Sequence, residues 1–195
     1  MTPSISIERV EPSSSLVDDA ARLHVDSLSD TLTSSRGVET VGGIYRRLIR
    51  KGHSLIVARV DTTVVGGVMV MVHDVERATL FSVVYRPWSW ISVLRHLGVR
   101  ELVAQLRDLA HVMRCNARLA PHDYIVALYV DQSARRHGVA RTLIARASVE
   151  AASRGVGLAV DTLLTNEPAR NFYHSVGFRK FAVTPRSQVF TWARE

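Results

Sequence analysis

The sequence predicts a single domain of mixed α/β class. Short apolar runs typical of strands alternate along the chain with segments that repeat apolar residues at helical spacing. The 195 residues, 47% of them hydrophobic, are enough to bury one substantial core. No internal repeat, low-complexity tract or interdomain linker divides them. We therefore expect one domain over residues 1–195.

The first 73 residues combine strand and helix patterns. Ser15 and Asp18 resemble a capping box at the start of a helix. The pair Gly66-Gly67, inside an apolar run, indicates a bulge or a close approach of two backbones. The predicted order is a strand over 4–10, helices over 15–28 and 38–51, and strands over 54–60 and 64–73.

The segment from about residue 74 to 121 is less regular. An Arg86-Pro87 break precedes Trp88 and Trp90, and a helix is expected near 99–115. Its apolar side repeats at helical spacing through Leu102, Leu106, Leu109 and Met113. Such a stripe indicates core packing in the first place.

The second half returns to regular elements. A strand over 124–130 is followed by a helix over 138–153, with Gly155 as its terminator. The remaining predicted elements are a strand over 157–163, a helix over 168–176, and strands over 179–183 and 188–192.

The charge balance indicates an anionic partner without naming it. A net charge of +7 and a pI near 10.3 would attract nucleic acid, an anionic membrane or a phosphate-rich cofactor. The basic residues are almost all scattered arginines, with no dense run and no aromatic RNA-binding strand. We therefore expect no specific nucleic-acid partner.

Cysteine usage and hydropathy indicate the cellular compartment in which the protein is expected. Cys115 is the sole cysteine and cannot form an internal disulfide, and no Cys/His spacing predicts a metal site. The longest apolar stretch, Val64 to Val72, is far shorter than a membrane span, and the N-terminus lacks a signal-like apolar core. We expect a cytoplasmic protein with no metal and no membrane association.

The turn from Arg135 to Ala140 carries the first chemical signal. It ends a strand and begins a helix, so free backbone N–H groups and the positive end of the helix point outward together. Gly138 has no Cβ to block an approaching phosphate, and Ala140 is small enough for close packing. This arrangement suits a pyrophosphate. An ordinary glycine turn is the competing interpretation of the segment taken alone.

The whole segment from Tyr124 to Phe178 resembles the GNAT superfamily of acyl-coenzyme A N-acyltransferases. The resemblance rests on R-x-x-G-x-A after a strand, then N-x-x-A-x-x-F-Y-x-x-x-G-F from Asn166, about 30 residues later. It covers residues 124–181 well and the first 73 in element order. It implies a mixed, mostly antiparallel central sheet flanked by helices, with 74–121 as a helical insertion between the third and fourth strands.

The resemblance also implies a set of contacts with coenzyme A. The fourth strand would splay from its neighbour and pair its main chain with the pantetheine amides, while the glycine turn would hold the pyrophosphate. Asn166 would bond the pantetheine arm, although it is equally suited to cap a helix. The implied contacts, Asn166 and Tyr173 included, are completed by Leu128, Tyr129, Val130, Arg135, Arg136, His137, Gly138, Val139, Ala140 and Arg141.

Tyr173 matches the family tyrosine that faces the coenzyme sulfur. A phenol with an ordinary pKa near 10 can protonate a departing thiolate. A core aromatic beside Phe172 and Phe178 is the structural alternative. The base is less well defined: the start of the fourth strand offers His122 and Asp123, with Tyr124 beside them, and His73 and Asp74 are rivals at the end of the third strand.

The function implied by the resemblance is transfer of an acetyl group from acetyl-CoA to a primary amine by direct attack in a ternary complex. The acceptor is a small molecule or peptide, and the resemblance is compatible with a homodimer. The segment His24 to Tyr45 also resembles GNAT members found near polysaccharide genes, which adds an amino sugar to the acceptors considered. A non-catalytic acyl-CoA-binding regulatory module is the alternative, and the presence of Tyr173 favours the enzyme.

Overall fold

The structure, a computed structural model, describes residues 5–28, 37–73 and 121–193, together with 103, 104, 107, 108, 110, 111, 114, 115 and 118. The elements in chain order are β1 (Ile5–Arg9), α1 (Leu16–Ser27), α2 (Val38–Arg50), β2 (Ser54–Val60), β3 (Thr63–Met71), β4 (His122–Val130), a 3₁₀ turn (Gln132–Ala134), α3 (Val139–Ser153), β5 (Gly157–Leu163), α4 (Glu167–Ser175), β6 (Arg179–Val183) and β7 (Ser187–Trp192).

Seven strands form one sheet in the order β1-β2-β3-β4-β5-β7-β6. Strands β4 and β5 pair in parallel, and the other neighbouring strands of this sheet pair antiparallel. The parallel connection needs a crossover, which α3 supplies. The predicted mixed, mostly antiparallel sheet flanked by helices is confirmed.

Helices cover both faces of the sheet and divide the core in two. On one face, Leu143 of α3 and Tyr173 of α4 pack with Val160 and Phe190 of the sheet. On the other face, α1 and α2 pack against β2, β3 and β4 through residues such as Val17 and Val41. Because both faces are covered, the central strands are apolar on both sides, as their sequences indicate.

The two glycines of β3 serve opposite faces. A Cβ at Gly66 would lie 2.9 Å from Val139 of α3, and a Cβ at Gly67 would lie 2.5 Å from the Tyr129 hydroxyl oxygen. The β2–β3 register also shifts beside Gly66, between Ala58 and Arg59. The register shift leaves Val65 unpaired, so the bulge lies one residue before the glycine pair, and the closest approaches at the two glycines are made by the side chains of Val139 and Tyr129.

One prediction from the sequence is wrong, and several others concern residues outside the described part of the chain. The capping box at Ser15 is wrong: Ser15 takes a helical backbone conformation without a side-chain cap, and Ser14 Oγ accepts from the Leu16 N–H at 3.2 Å instead. In the 74–121 segment the described residues at 103–104, 107–108, 110–111 and 114–115 are helical. Outside the described residues lie Asp74, Trp88, Trp90, Leu102, Leu106, Leu109 and Met113.

A buried polar cluster lies between the sheet and its first two helices. His24 of α1 is 3% exposed, its Nδ1 lies 2.6 Å from the Tyr45 hydroxyl, and its ring contacts Tyr129 edge-on at 5.2 Å. The other ring nitrogen, Nε2, has no hydrogen-bond partner among the described protein atoms. Burial lowers the pKa of His24 to about 4, so the imidazole is neutral in the folded protein.

This burial predicts a loss of stability in mild acid. His24 takes up a proton near pH 6.5 in the unfolded chain but only near pH 4 in the folded chain. The free energy of unfolding is therefore highest above pH 6.5 and decreases as the pH falls. We expect His24 alone to remove about 2 kcal/mol of unfolding free energy between pH 7.5 and 5. Urea unfolding measures it.

His53 provides the internal comparison for that measurement. It is also buried, its pKa is lowered by burial, and its Nδ1 accepts the Val72 N–H at 3.1 Å, so it adds a slope of the same sign. The His24→Gln variant should lose the part of the slope due to His24 and retain the part due to His53. A slope identical to that of the unmodified chain would contradict the assignment.

Candidate functional site

The sheet opens between β4 and β5. Their parallel pairs run from His122↔Gly157 to Ile125↔Val160 and stop there, although β4 continues to Val130 along β3 and β5 continues to Leu163 along β7. At the same level β4 bulges, because Met69 faces Ala127 and Val70 faces Ile125, which leaves Val126 out of the ladder. The second half of β4 therefore presents main-chain groups toward a gap, as the resemblance to the GNAT superfamily implies.

A pocket of about 460 Å³ lies against this open half of β4. Leu128, Tyr129 and Val130 form one wall, the turn after β4 and the first residues of α3 form another, and Phe172 of α4 contributes a third. The pocket brings together nine of the predicted coenzyme contacts: Leu128, Tyr129, Val130, Arg135, Arg136, Gly138, Val139, Ala140 and Arg141. Ala134 and Phe172 are lining residues that the prediction omitted.

The turn that closes the pocket has the geometry of an anion site. Gly138 takes a left-handed backbone with φ 84° and ψ −4°, and α3 begins at the next residue. The first bonded amide is that of Thr142, which donates to the Gly138 carbonyl at 3.0 Å, so the amides of the three preceding residues have no intrahelical acceptor. Free amides at the positive end of a helix favour a phosphate.

Three arginines make the pocket electropositive, and none of its described lining residues carries a carboxylate. Arg135 donates from Nε to the Val130 carbonyl at 3.2 Å, which fixes it across the end of β4. Arg141 donates to the Ser175 carbonyl at 3.2 Å and so ties α3 to α4. Arg136 is exposed, with a left-handed φ of 67°. Charge and shape together fit a phosphate-bearing ligand with an extended apolar arm.

Two predicted coenzyme contacts, His137 and Asn166, lie outside the pocket lining, and so does a third, Tyr173. The His137 Nδ1 lies 2.8 Å from the Arg135 carbonyl oxygen, so its ring folds back on the turn. Asn166 caps α4, accepting from the Ala169 N–H at 3.1 Å, and Pro168 stands in the first turn of that helix. The cap predicted for Asn166 is confirmed, and the coenzyme role of both residues stays a prediction.

Tyr173 follows Phe172 on α4 and packs between aromatic rings. It is 6% exposed, and its ring lies 5.5 Å from that of Phe178 and 5.9 Å from that of Phe190. Burial, and secondarily the nearby Asp161 carboxylate, raise the pKa of Tyr173 above its usual value. The hydroxyl therefore keeps its proton at neutral pH and is available as a donor.

The two predicted bases lie at the closed end of the sheet opening. The imidazole of His122 covers Gly157, where a Cβ would lie 2.6 Å from it. Asp123 is 0% exposed, pairs with Arg154, whose Nε lies 3.1 Å away, and accepts the His73 N–H at 2.9 Å. At about 3.3 Å per residue, His122 stands about 13 Å from the bulge at Val126. Their catalytic role stays a prediction, without support from this placement.

A second carboxylate, Asp161 of β5, stands at the opening itself and was missed from the sequence. It follows Val160, the last residue paired with β4, and accepts a hydrogen bond from the Tyr124 hydroxyl. Burial raises the pKa of Asp161; the charge of Asp108 adds to the rise, and hydrogen bonds from Tyr124 and Ser187 oppose it. Nothing local marks this aspartate, because its partners come from three other parts of the chain.

Comparison with known proteins agrees with this geometry. Residues 93–178 match the acetyltransferase (GNAT) family. Over these residues the chain carries a GNAT acetyltransferase domain. The GNAT match covers β4, the turn, α3, β5 and α4, which are the elements around the pocket, and it begins inside the 74–121 segment. A comparison with curated proteins finds no match to this chain.

Solved structures share the GNAT fold at low sequence identity. PaiA N-acetyltransferase from Thermoplasma acidophilum, in complex with coenzyme A, is 12% identical, with 98% of this chain and 99% of that chain covered and a TM-score of 0.60. The ribosomal-protein-S18-alanine N-acetyltransferase of Escherichia coli is 12% identical over 96% and 91%, with a TM-score of 0.57. YncA of Salmonella typhimurium, solved with its cofactor acetyl-CoA, is 13% identical over 97% and 93%, with a TM-score of 0.59.

Two further observations concern the part of the chain that the structure describes. No helix in it is both long enough and apolar enough to cross a membrane. Its His, Cys, Asp and Glu side chains do not gather anywhere in the group of three that a metal ion would require.

Proposed function

We propose that the protein transfers an acetyl group from acetyl-CoA to a primary amine, with both substrates bound at once. The observation that carries the proposal is the pocket at the opening between β4 and β5, where exposed main-chain groups meet an arginine-bearing turn at a helix start. An extended pantetheine arm suits the strand and the pyrophosphate suits the turn. The structural neighbours solved with coenzyme A or acetyl-CoA support the choice of cofactor.

The acyl transfer needs no covalent enzyme intermediate. The amine nitrogen attacks the thioester carbonyl carbon, the C–N bond forms, the C–S bond breaks, and coenzyme A leaves as a thiolate. Tyr173, from α4, donates its hydroxyl hydrogen to that sulfur, and a base removes one proton from the amine. Binding both substrates beside each other converts the reaction into an effectively unimolecular one.

The test is amine-dependent release of thiol. Purified protein is mixed with acetyl-CoA and a panel of acceptors: a peptide with a free N-terminal alanine, lysine, a polyamine and an amino sugar. We expect thiol release with at least one amine, and mass spectrometry should find one acetyl group on that product. The matched controls are the same acceptors already N-acetylated, which should release none.

Initial velocities distinguish a ternary complex from a covalent acyl-enzyme. When both substrates are varied, a ternary complex gives intersecting double-reciprocal lines, whereas a covalent acyl-enzyme gives parallel ones. Acetyl-CoA binding by calorimetry without thiol release to any amine would overturn the proposed transfer and favour the non-catalytic acyl-CoA-binding module.

A further inference from the structure

Asp161 occupies a distinctive position in β5. It is the first residue beyond the last pair with β4, and Val160 before it points into the core on the side of α3 and α4. Because side chains alternate along a strand, Asp161 lies on the opposite face. Val126, at the bulge of β4, is 42% exposed, and Leu163, further along β5, is 48% exposed. Exposed apolar side chains therefore flank a half-buried carboxylate where the two strands separate.

The contacts of Asp161 position it and leave it able to accept a proton. The Tyr124 hydroxyl donates to Oδ1, and the Ser187 hydroxyl is a second partner. Ser187 Oγ also lies 2.5 Å from Asp108 Oδ2, and a hydroxyl has one hydrogen to donate. When Ser187 donates to Asp108, its oxygen can accept a hydrogen bond from a protonated Asp161. The network can thus hold Asp161 in either charge state.

Asp108 differs from Asp161 in being fully engaged. It comes from the 74–121 segment, is 8% exposed, and accepts from Thr184 Oγ1 at 2.5 Å and from the Arg186 N–H at 3.1 Å as well as from Ser187. These bonds fasten the segment to the turn between β6 and β7. Asp108 acts on Asp161 by its charge and through Ser187.

We propose that Asp161 is the catalytic base of the acyl transfer, removing the proton of the attacking amine on the face of the sheet opposite the Tyr173 ring. The inference rests on the proposed function. The amine proton goes to an Asp161 oxygen as the C–N bond forms, and the hydroxyl hydrogen of Tyr173 goes to sulfur as the C–S bond breaks. Before attack, the same carboxylate attracts an acceptor that arrives as an ammonium ion.

The described groups that act on Asp161 come from four different parts of the chain. They are Tyr124 from β4, Ser187 from β7, Asp108 from the 74–121 segment and Tyr173 from α4. None of the described groups that act on the pKa of Asp161 is a lysine, arginine or histidine. The rate at saturating acceptor should therefore rise with pH through a pKa above the ordinary aspartate value.

The decisive experiment compares pH profiles of kcat in unmodified protein and in Asp161→Asn. We expect a drop in kcat of at least about 100-fold, the scale of general base catalysis, together with loss of the acidic limb. Acetyl-CoA affinity by calorimetry should stay the same. Two acceptors with different amine pKa values are used, because a limb caused by the free amine moves with the acceptor and a limb caused by Asp161 does not.

Two neighbouring variants keep the test sharp if Asp161→Asn does not fold. Tyr124→Phe removes a hydrogen bond to the carboxylate and should move the acidic limb to higher pH. Asp108→Asn removes a negative charge and should move it to lower pH. Opposite shifts from two neighbours identify the titrating group, since a merely structural role would not order them this way.

The outcomes separate this inference from the function it rests on. An unmodified protein that acetylates amines, with an acidic limb unchanged in Asp161→Asn or lost in Asp123→Asn instead, overturns the role of Asp161 and leaves the acyl transfer intact. An acidic limb that neither neighbouring variant moves also overturns it. A protein that acetylates no amine removes the proposed function and the base together.

Discussion

Valine at position 138 is expected to weaken acetyl-CoA binding by at least about 100-fold, or about 2.7 kcal/mol, while the domain stays folded. A Cβ at Gly138 meets no protein atom within 4 Å, so overlap with the fold is not the cause. The left-handed backbone at φ 84° is strained for a β-branched residue, by about 1–3 kcal/mol. The turn would relieve this strain by moving, which displaces the amides that face the pocket.

The chain offers a closely matched control for that substitution. Gly155 stands at the other end of α3, has a left-handed φ of 73°, and its Cβ would also meet no atom within 4 Å. Gly155→Val therefore introduces the same residue at a similar backbone strain, away from the residues that line the pocket. Calorimetry should find normal affinity in Gly155→Val and weak binding in Gly138→Val. Equal affinities in the two variants would remove the turn from coenzyme recognition.

Phenylalanine at position 173 is expected to lower kcat about 100-fold with little effect on stability or on coenzyme affinity. The substitution removes a single oxygen and keeps the ring that packs against Phe178 and Phe190. Because burial raises the pKa of Tyr173, the donor remains protonated across the neutral range, so its loss should reduce the rate equally at all neutral pH values.

Rapid mixing of the Tyr173→Phe variant measures the chemical step directly. Thiol release in a single turnover should slow by the same factor as kcat, and thermal unfolding should match that of the unmodified protein. A phenol whose pKa lies above that of a thiol, ordinarily near 8.5, gives up its hydrogen only as the C–S bond breaks. Normal single-turnover thiol release in this variant would exclude Tyr173 from proton transfer.

Local patterns predict the strands and helices, and the resemblance to the GNAT superfamily predicts the coenzyme pocket. The strands over 54–60 and 157–163 occur at the predicted residues, since a strand in a covered sheet begins as a buried apolar run between turns. The exposed edge strand over 179–183 also occurs where it was predicted. Most residues of the pocket lie in one stretch from Leu128 to Arg141, so a single strand, turn and helix start place them together. Residues that are close in sequence therefore account for most of the pocket lining.

The acceptor side of the site could not be predicted in the same way. Asp161 follows four apolar or small residues in β5 and precedes Thr162, a pattern that marks no site. Its partners Tyr124, Ser187 and Asp108 meet it only through the sheet order and the docking of the 74–121 segment. The predicted candidates at the start of β4 had the right residue types. Their position relative to the bulge at Val126 depends on where the β4–β5 pairing ends, and no local pattern fixes that point.

The short β4–β5 ladder also has a mechanical meaning. Four residue pairs join the strands β1 to β4 to the strands β5 to β7, so the sheet consists of two halves connected by a short parallel ladder. A ligand bound along the part of β4 that is not paired with β5 would connect the two halves and stiffen the domain where few strand pairs join them. The bound coenzyme arm would then contribute to the rigidity of the sheet, and its release would leave the two halves freer to move relative to each other.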